Sequence, residues 1–196
     1  MNLLNNAIAS IVITAATALL LCMSACNGSS DDDKVNSTAM SVVVLLVQAP
    51  GSLGNPSGHS GFTQFKDEVA AEVNACTPHQ KSQIRNAIDQ YMKYQEIVAN
   101  DLMAYVDSCF AGGGGAISAS PAAQNQYKML LPSIQTAVPP PNESLSMMSA
   151  QVSTMTERLA GLSKDQQQQF RELMNGQMVA NKSLQLRLIN ELLGDA

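Results

Sequence analysis

Side chains able to do chemistry are few in this chain, and their spacing defeats most of the reactions they could support. The two histidines, His59 and His79, each lack a second His, a Cys or a carboxylate at the spacing of a closed zinc or copper site. Gly58-His59-Ser60-Gly61 sets a serine beside a histidine. A nucleophile elbow, however, needs G-x-S-x-G on a strand-to-helix turn, and Phe62 stands where its last glycine belongs. The fragment reads as loop. Gly112 to Gly115 lacks the Lys-Ser/Thr of a phosphate loop and follows a helical pattern, so it reads as linker. The 11 methionines, among them Met147, Met148 and Met155, include soft-metal donors by type. At helical spacing they are more simply core filler or an adaptable binding face. No catalytic residue, metal site or cofactor is expected, and the chain does not read as an enzyme.

Cys26 is the residue with a covalent role in view. Residues 7–25, AIASIVITAATALLLCMSA, run from apolar to small, and a polar, acidic segment follows Cys26. Met23-Ser24-Ala25-Cys26 resembles the lipobox of bacterial lipoprotein signals, with Met23 in place of the usual Leu. In that family the small residues fit a signal peptidase and the cysteine thiol accepts a diacylglyceryl group. Two other readings stay open. A stretch of about 19 residues nearly spans a bilayer and could remain as an anchor; or the leader is cleaved without lipid, although Met23 and Ala25 make a poor A-x-A site. Met1 to Asn6 contains no Lys or Arg, leaving only the free amine as the positive n-region. The lipoprotein resemblance, with Asn27 after the cysteine, implies the outer membrane of a cell envelope, facing the periplasm or the cell surface.

Composition bounds the body that this leader would deliver. Of the 196 residues 45% are hydrophobic, but only 4% are aromatic and none is Trp. A core of Leu, Ile, Val, Met and Ala suits packed helices better than a β-sandwich. With 11 basic against 16 acidic residues and no basic cluster, a nucleic-acid surface is not expected.

The patterning divides the chain into 1–25, a signal peptide; 26–61, a flexible acidic tether with a strand-like segment; 62–111, a first helical hairpin; 112–142, a Gly- and Pro-rich connector with a short helix; and 143–196, a second hairpin. The strand-like segment is Ser41 to Val47, SVVVLLV, with no second such run to pair with. It reads as an extended segment packed on helices, or as a sticky edge if exposed. Phe62, Phe65, Val69, Val73 and Cys76 follow one helix face. The next helix opens at Thr77-Pro78-His79-Gln80, a capping box with Pro in the first turn. Its face, from Ile84 through Ile88, Tyr91, Gln95, Val98, Leu102 and Tyr105 to Cys109, has a single polar interruption, Gln95. Pro121 to Leu131 is a short helix, residues 138–141 a stiff spacer, and Asn142 a candidate N-cap. Ser163-Lys164-Asp165-Gln166 is a second capping box after Gly161. Cys76 and Cys109 present a choice. An export compartment favours a disulfide, but unbroken helix would hold them about 50 Å apart, against the roughly 7 Å a disulfide tolerates. The helix is preferred, with unbridged thiols or an intermolecular bridge as its consequence.

The two hairpins superimpose at an offset of 86 residues (163 − 77): Thr77 falls on Ser163, Gln80 on Gln166, Arg85 on Arg171 and Met92 on Met178. This reads as an internal duplication. The apolar faces could meet within one chain or be shared in a homodimer. Cys76-Thr77-Pro78-His79-Gln80 and Leu162-Ser163-Lys164-Asp165-Gln166 resemble the paired LTxxQ motifs of the periplasmic chaperone and stress-adaptor family of the Spy and CpxP type. The resemblance covers the hairpins, about half of the chain. It implies an all-α fold and a binding role toward unfolded or helical protein clients, although that family presents a basic concave surface and this chain is acidic. The expectation is a membrane-tethered, chaperone- or sensor-like binding protein. A structural envelope lipoprotein without clients is the alternative.

Overall fold

A computed structural model of the chain describes residues 31–52, 59–113, 117–153 and 156–194. Cys26 and the whole leader lie outside the described residues. The fold is all-α. In chain order the helices are α1 (Asp31–Ser52), α2 (His59–Asn74), α3 (Pro78–Phe110), α4 (Pro121–Lys128), α5 (Pro132–Ala137), α6 (Pro141–Ser153), α7 (Thr156–Ala160) and α8 (Lys164–Leu193).

The largest departure from expectation is α1. Residues 31–52 are neither tether nor strand but a 22-residue helix. Asp31, Asp32 and Asp33 occupy its first turn, where the helix dipole favours negative charge. Val42, Val43, Leu45 and Leu46 are fully buried. β-Branched residues cost a helix only a few tenths of a kcal/mol each, while burying each such side chain is worth about 1.5–3 kcal/mol. Tertiary burial therefore overrides the strand preference of SVVVLLV, and with no partner strand the helix also satisfies its own backbone. By length and composition α1 could cross a membrane, with a mean hydropathy of 1.2 over its apolar window, yet half of that window is buried within the protein. Its neighbours are α2, α3, α5 and α8.

This placement reshapes the expected hairpins. α1 lies against both α2 and α3, and α3 in turn against α6, α7 and α8. Each pair of arms thus holds a third helix instead of closing on itself. α3 and α8 run antiparallel, tied by Arg171 Nε to Asp107 Oδ1 at 2.7 Å, Lys182 Nζ to Glu96 Oε2 at 2.9 Å, and Arg85 Nη2 to Asn190 Oδ1 at 2.8 Å. The α3 partners step by 11 residues (107 to 96 to 85), about three helical turns, so one face carries them all. Arg171 also stacks over Phe110, which meets Phe170 edge-on at 5.8 Å.

Both capping boxes form. Thr77 Oγ1 accepts from Gln80 N–H and Gln80 Oε1 from Thr77 N–H; Ser163 and Gln166 do the same. The Gln80 side chain is buried and also donates to Asp31 Oδ1 at 3.1 Å, whereas Gln166 is exposed. The repeat is therefore one of turn chemistry, with different partners at each copy, and duplication of the hairpins is not established by it. Cys76, just ahead of α3, and Cys109, in its last turn, are buried thiols at opposite ends of the unbroken helix and are not joined to each other.

The described part of the connector is more regular than its composition suggests. Two short helices, α4 and α5, occupy it, and Pro141 starts α6 one residue ahead of Asn142. Asn142 is not the cap; its Oδ1 accepts from Ala119 N–H at 2.8 Å and Asp101 Oδ2 accepts from Ser120 N–H at 2.9 Å, fixing the entry to α4. His59, Ser60 and Gly61, expected as loop, open α2.

Pro50 sits inside α1 and has no N–H for the carbonyl four residues back, Leu46. Gln185, 6% exposed, supplies the missing donor from α8: its Nε2 reaches Leu46 O at 3.2 Å. Gln185→Leu should therefore cost about 1–3 kcal/mol in urea denaturation, because it strands a buried carbonyl. In that background Pro50→Ala, which restores an N–H at position 50, should recover most of the loss. Simple additivity of the two substitutions would refute the pairing.

Candidate functional site

The sequence motifs singled out above do not converge. Because α3 and α8 are antiparallel, Thr77–Gln80 and Ser163–Gln166, at their N-termini, lie at opposite ends of the bundle, each locking one turn. His79 is exposed in the first turn of α3. Among the described residues no three His, Cys, Asp or Glu side chains converge as a metal site would require.

The concave feature lies instead at mid-height. A half-open cavity of about 460 Å³ opens between the C-terminal part of α1, the middle of α3, the spacer before α6, α6 itself and α8. That volume falls in the range of small-molecule and side-chain pockets. Its wall is largely apolar and carries Met92, Met147, Met174 and Met178, with Val47, Val98 and Leu102. Met is unbranched and polarizable, so such a wall adapts to varied shapes. The helical spacing that puts Met174 and Met178 on one face of α8 is the same that buries Phe170 beneath them.

Polar groups on this wall have fixed geometry. Tyr94 Oη donates to Pro139 O at 3.0 Å and lies 3.3 Å from Ser144 Oγ, fastening the proline spacer to α3. Tyr94 also packs against Tyr127, ring centres 5.7 Å apart. Tyr91 Oη accepts from Gln95 Nε2 at 2.6 Å, one turn along α3. Burial pushes the Tyr94 phenol up to about 12, the Ser144 contact lowering it somewhat and nearby Tyr127 raising it. Burial pushes Tyr91 further in the same direction, with Tyr94 adding to it. Both phenols stay neutral across the physiological range. At the rim Lys182 and Glu96 form an ion pair at 2.9 Å.

This site was not found from sequence, although two signals for it were present. Gln95, the polar break in the α3 face, and four of the methionines line the cavity together. Of the methionines named as donors, Met147 lines the cavity, Met155 lies outside the described residues, and only the backbone of Met148 is described, in α6. The arrangement offers apolar surface and neutral hydrogen-bonding groups. Comparison with protein-family models, curated proteins and solved structures finds no match to this chain.

Tyrosine titration checks the geometry. Unfolded tyrosines ionise near pH 10. Tyr94 holds its proton to about pH 12 when folded, so its contribution to stability is complete below pH 10 and is lost as pH climbs toward 12. Tyrosinate absorbance at about pH 11 should be well below that of the urea-unfolded chain. Tyr94→Phe should flatten the alkaline fall in stability; full ionisation of the folded protein at that pH would contradict the burial.

Proposed function

We propose that this chain is a non-catalytic helical binding protein of the cell envelope, tethered through an acylated Cys26, whose methionine-lined cavity captures apolar groups of client or partner proteins. The carrying observation is the half-open cavity itself: adaptable apolar wall at mid-bundle, with Val179 of α8, 64% exposed, continuing that surface outward. The resemblance to the Spy and CpxP type supports a chaperone- or sensor-like role through its turn motifs, which serve as caps and leave capture to the cavity. Since α1 begins at Asp31, acylation at Cys26 would hold the helical body within five residues of the lipid (31 − 26), an extended reach of about 17 Å. A long stalk is not part of this reading.

Two measurements test it. Intact mass and fractionation of expressed protein should show a diacylated N-terminal cysteine in the membrane fraction, and Cys26→Ser should move the protein to the soluble fraction; an unmodified mass ends the anchor. Processed protein at equimolar ratio should suppress aggregation of a chemically denatured model protein, and Met178→Glu should weaken that effect about tenfold, the worth of one buried methionine-sized contact. No suppression at stoichiometric excess would leave the chain as a structural envelope lipoprotein.

A further inference from the structure

We infer, resting on the capture reading above, that the cavity wall is also a site of reversible modification: hydrogen peroxide converts Met92, Met147 and Met178 to sulfoxides, and the oxidised wall no longer holds apolar clients.

Burial decides which sulfur a peroxide can reach. The thiols of Cys76 and Cys109 are buried at the two ends of α3. Met92 on α3, Met147 on α6 and Met178 on α8 are half-buried and border a half-open cavity of about 460 Å³. A hollow wide enough for a client's side chain admits peroxide, a molecule little larger than water. Met174 lies on the same wall but is only 2% exposed and belongs to the core. Met129, 64% exposed, lies away from the cavity. Val47, Val98 and Leu102, the aliphatic part of the wall, are inert to peroxide. Three helices thus each bring one oxidisable group to a single opening.

In the step itself the thioether sulfur attacks one peroxide oxygen, the O–O bond breaks, an S–O bond forms and water leaves. Sulfur gives up two electrons and peroxide takes them. A dithiol-driven sulfoxide reductase returns the thioether, with a disulfide and water as products. The sulfoxide oxygen is a strong acceptor set into a wall of apolar contacts. An apolar client covering it would strip its water and offer it no donor. At Met178 the effect reaches the rim. Lys182 follows by four residues on α8, the spacing at which helical side chains meet. A sulfoxide at Met178 therefore competes with Glu96 for the Lys182 ammonium, paired at 2.9 Å. Met174 and Phe170 stay covered, so the fold outlasts the change in its wall.

The experiment treats the protein with dilute hydrogen peroxide and quenches it at intervals. Peptide mass mapping follows each methionine, and suppression of aggregation of a denatured model protein follows capture. Met129 should gain oxygen first, Met92, Met147 and Met178 next, and Met174 last. Suppression should be unchanged while Met129 alone is oxidised and fall about tenfold once the wall methionines follow. Helical circular dichroism should persist, and sulfoxide reductases with dithiothreitol should restore capture. Combining Met92→Leu, Met147→Leu and Met178→Leu keeps the wall apolar, so this variant should capture normally and resist peroxide. It retains Met40 and Met103, half-buried away from the cavity, and so reports damage elsewhere. Should the triple variant not fold, reductase reversal in the unsubstituted protein decides. Full suppression by protein carrying all three sulfoxides, equal loss in the triple variant, wall methionines as protected as Met174, or loss that reduction does not reverse each overturns the inference. In those cases an untreated protein that still suppresses aggregation leaves the capture reading standing; one that suppresses none ends both.

Discussion

A helix that is apolar on most of its circumference cannot rest on a surface, and α1 is such a helix between Val42 and Leu46. Neighbours must close around it, and they do so from distant parts of the chain: α2 and α3 follow it, α5 comes from the connector, and α8 from the C-terminal end. The packing of the other helices follows from that enclosure. α1 packs against both α2 and α3, and the antiparallel α3–α8 pair is held by polar links spaced three turns apart along α3. At its N-terminus α1 is pinned by Gln80 to Asp31 and by Lys34 to Ala75 O; near its C-terminus, by Gln185 to Leu46 O.

The cavity is a by-product of the same geometry. Pro50 interrupts the hydrogen bonds of α1 where α8 passes, and the proline spacer before α6 is held off α3 at the distance set by the Tyr94 hydroxyl. Between these rigid edges flexible methionines form the wall. Stiff polar fasteners around a soft apolar surface is an arrangement suited to binding, since orientation comes from the edges and tolerance from the wall.

Much of this was legible in the sequence. The Thr77-Pro78 and Ser163 starts, the unbroken run to Phe110 and the resulting separation of Cys76 from Cys109 all follow from local capping chemistry and periodicity, which act over a turn or two. α1 departs from the sequence pattern for a physical reason. Val42 to Val47 has the side-chain shape of a strand, and the polar residues ahead of it, Asp31 to Thr38, suggest a tether. The pattern Val35, Ala39, Val42, Leu46, Ala49 carries the alternating four-and-three spacing that would have identified a helix, with three aspartates marking its start. Asn142, expected as the cap, falls two residues past it because Pro141 can itself open a helix, leaving Pro140 at the cap. The cavity is made by helices that are far apart in the chain, so the sequence marks only isolated parts of its wall, Gln95 and the methionines.

The contact between Gln185 and Leu46 spans 139 residues. It joins the first described helix to the last, so the topology is decided late: until α8 is available, Leu45 and Leu46 lack part of their cover and the carbonyl of Leu46 lacks its donor. Assembly of such a fold is governed by loop closure over nearly the whole polypeptide. A nascent or truncated chain ending before residue 164 therefore presents a greasy, self-adhesive rod, and any factor handling the unfinished chain would have to shield that rod until the C-terminal helix arrives.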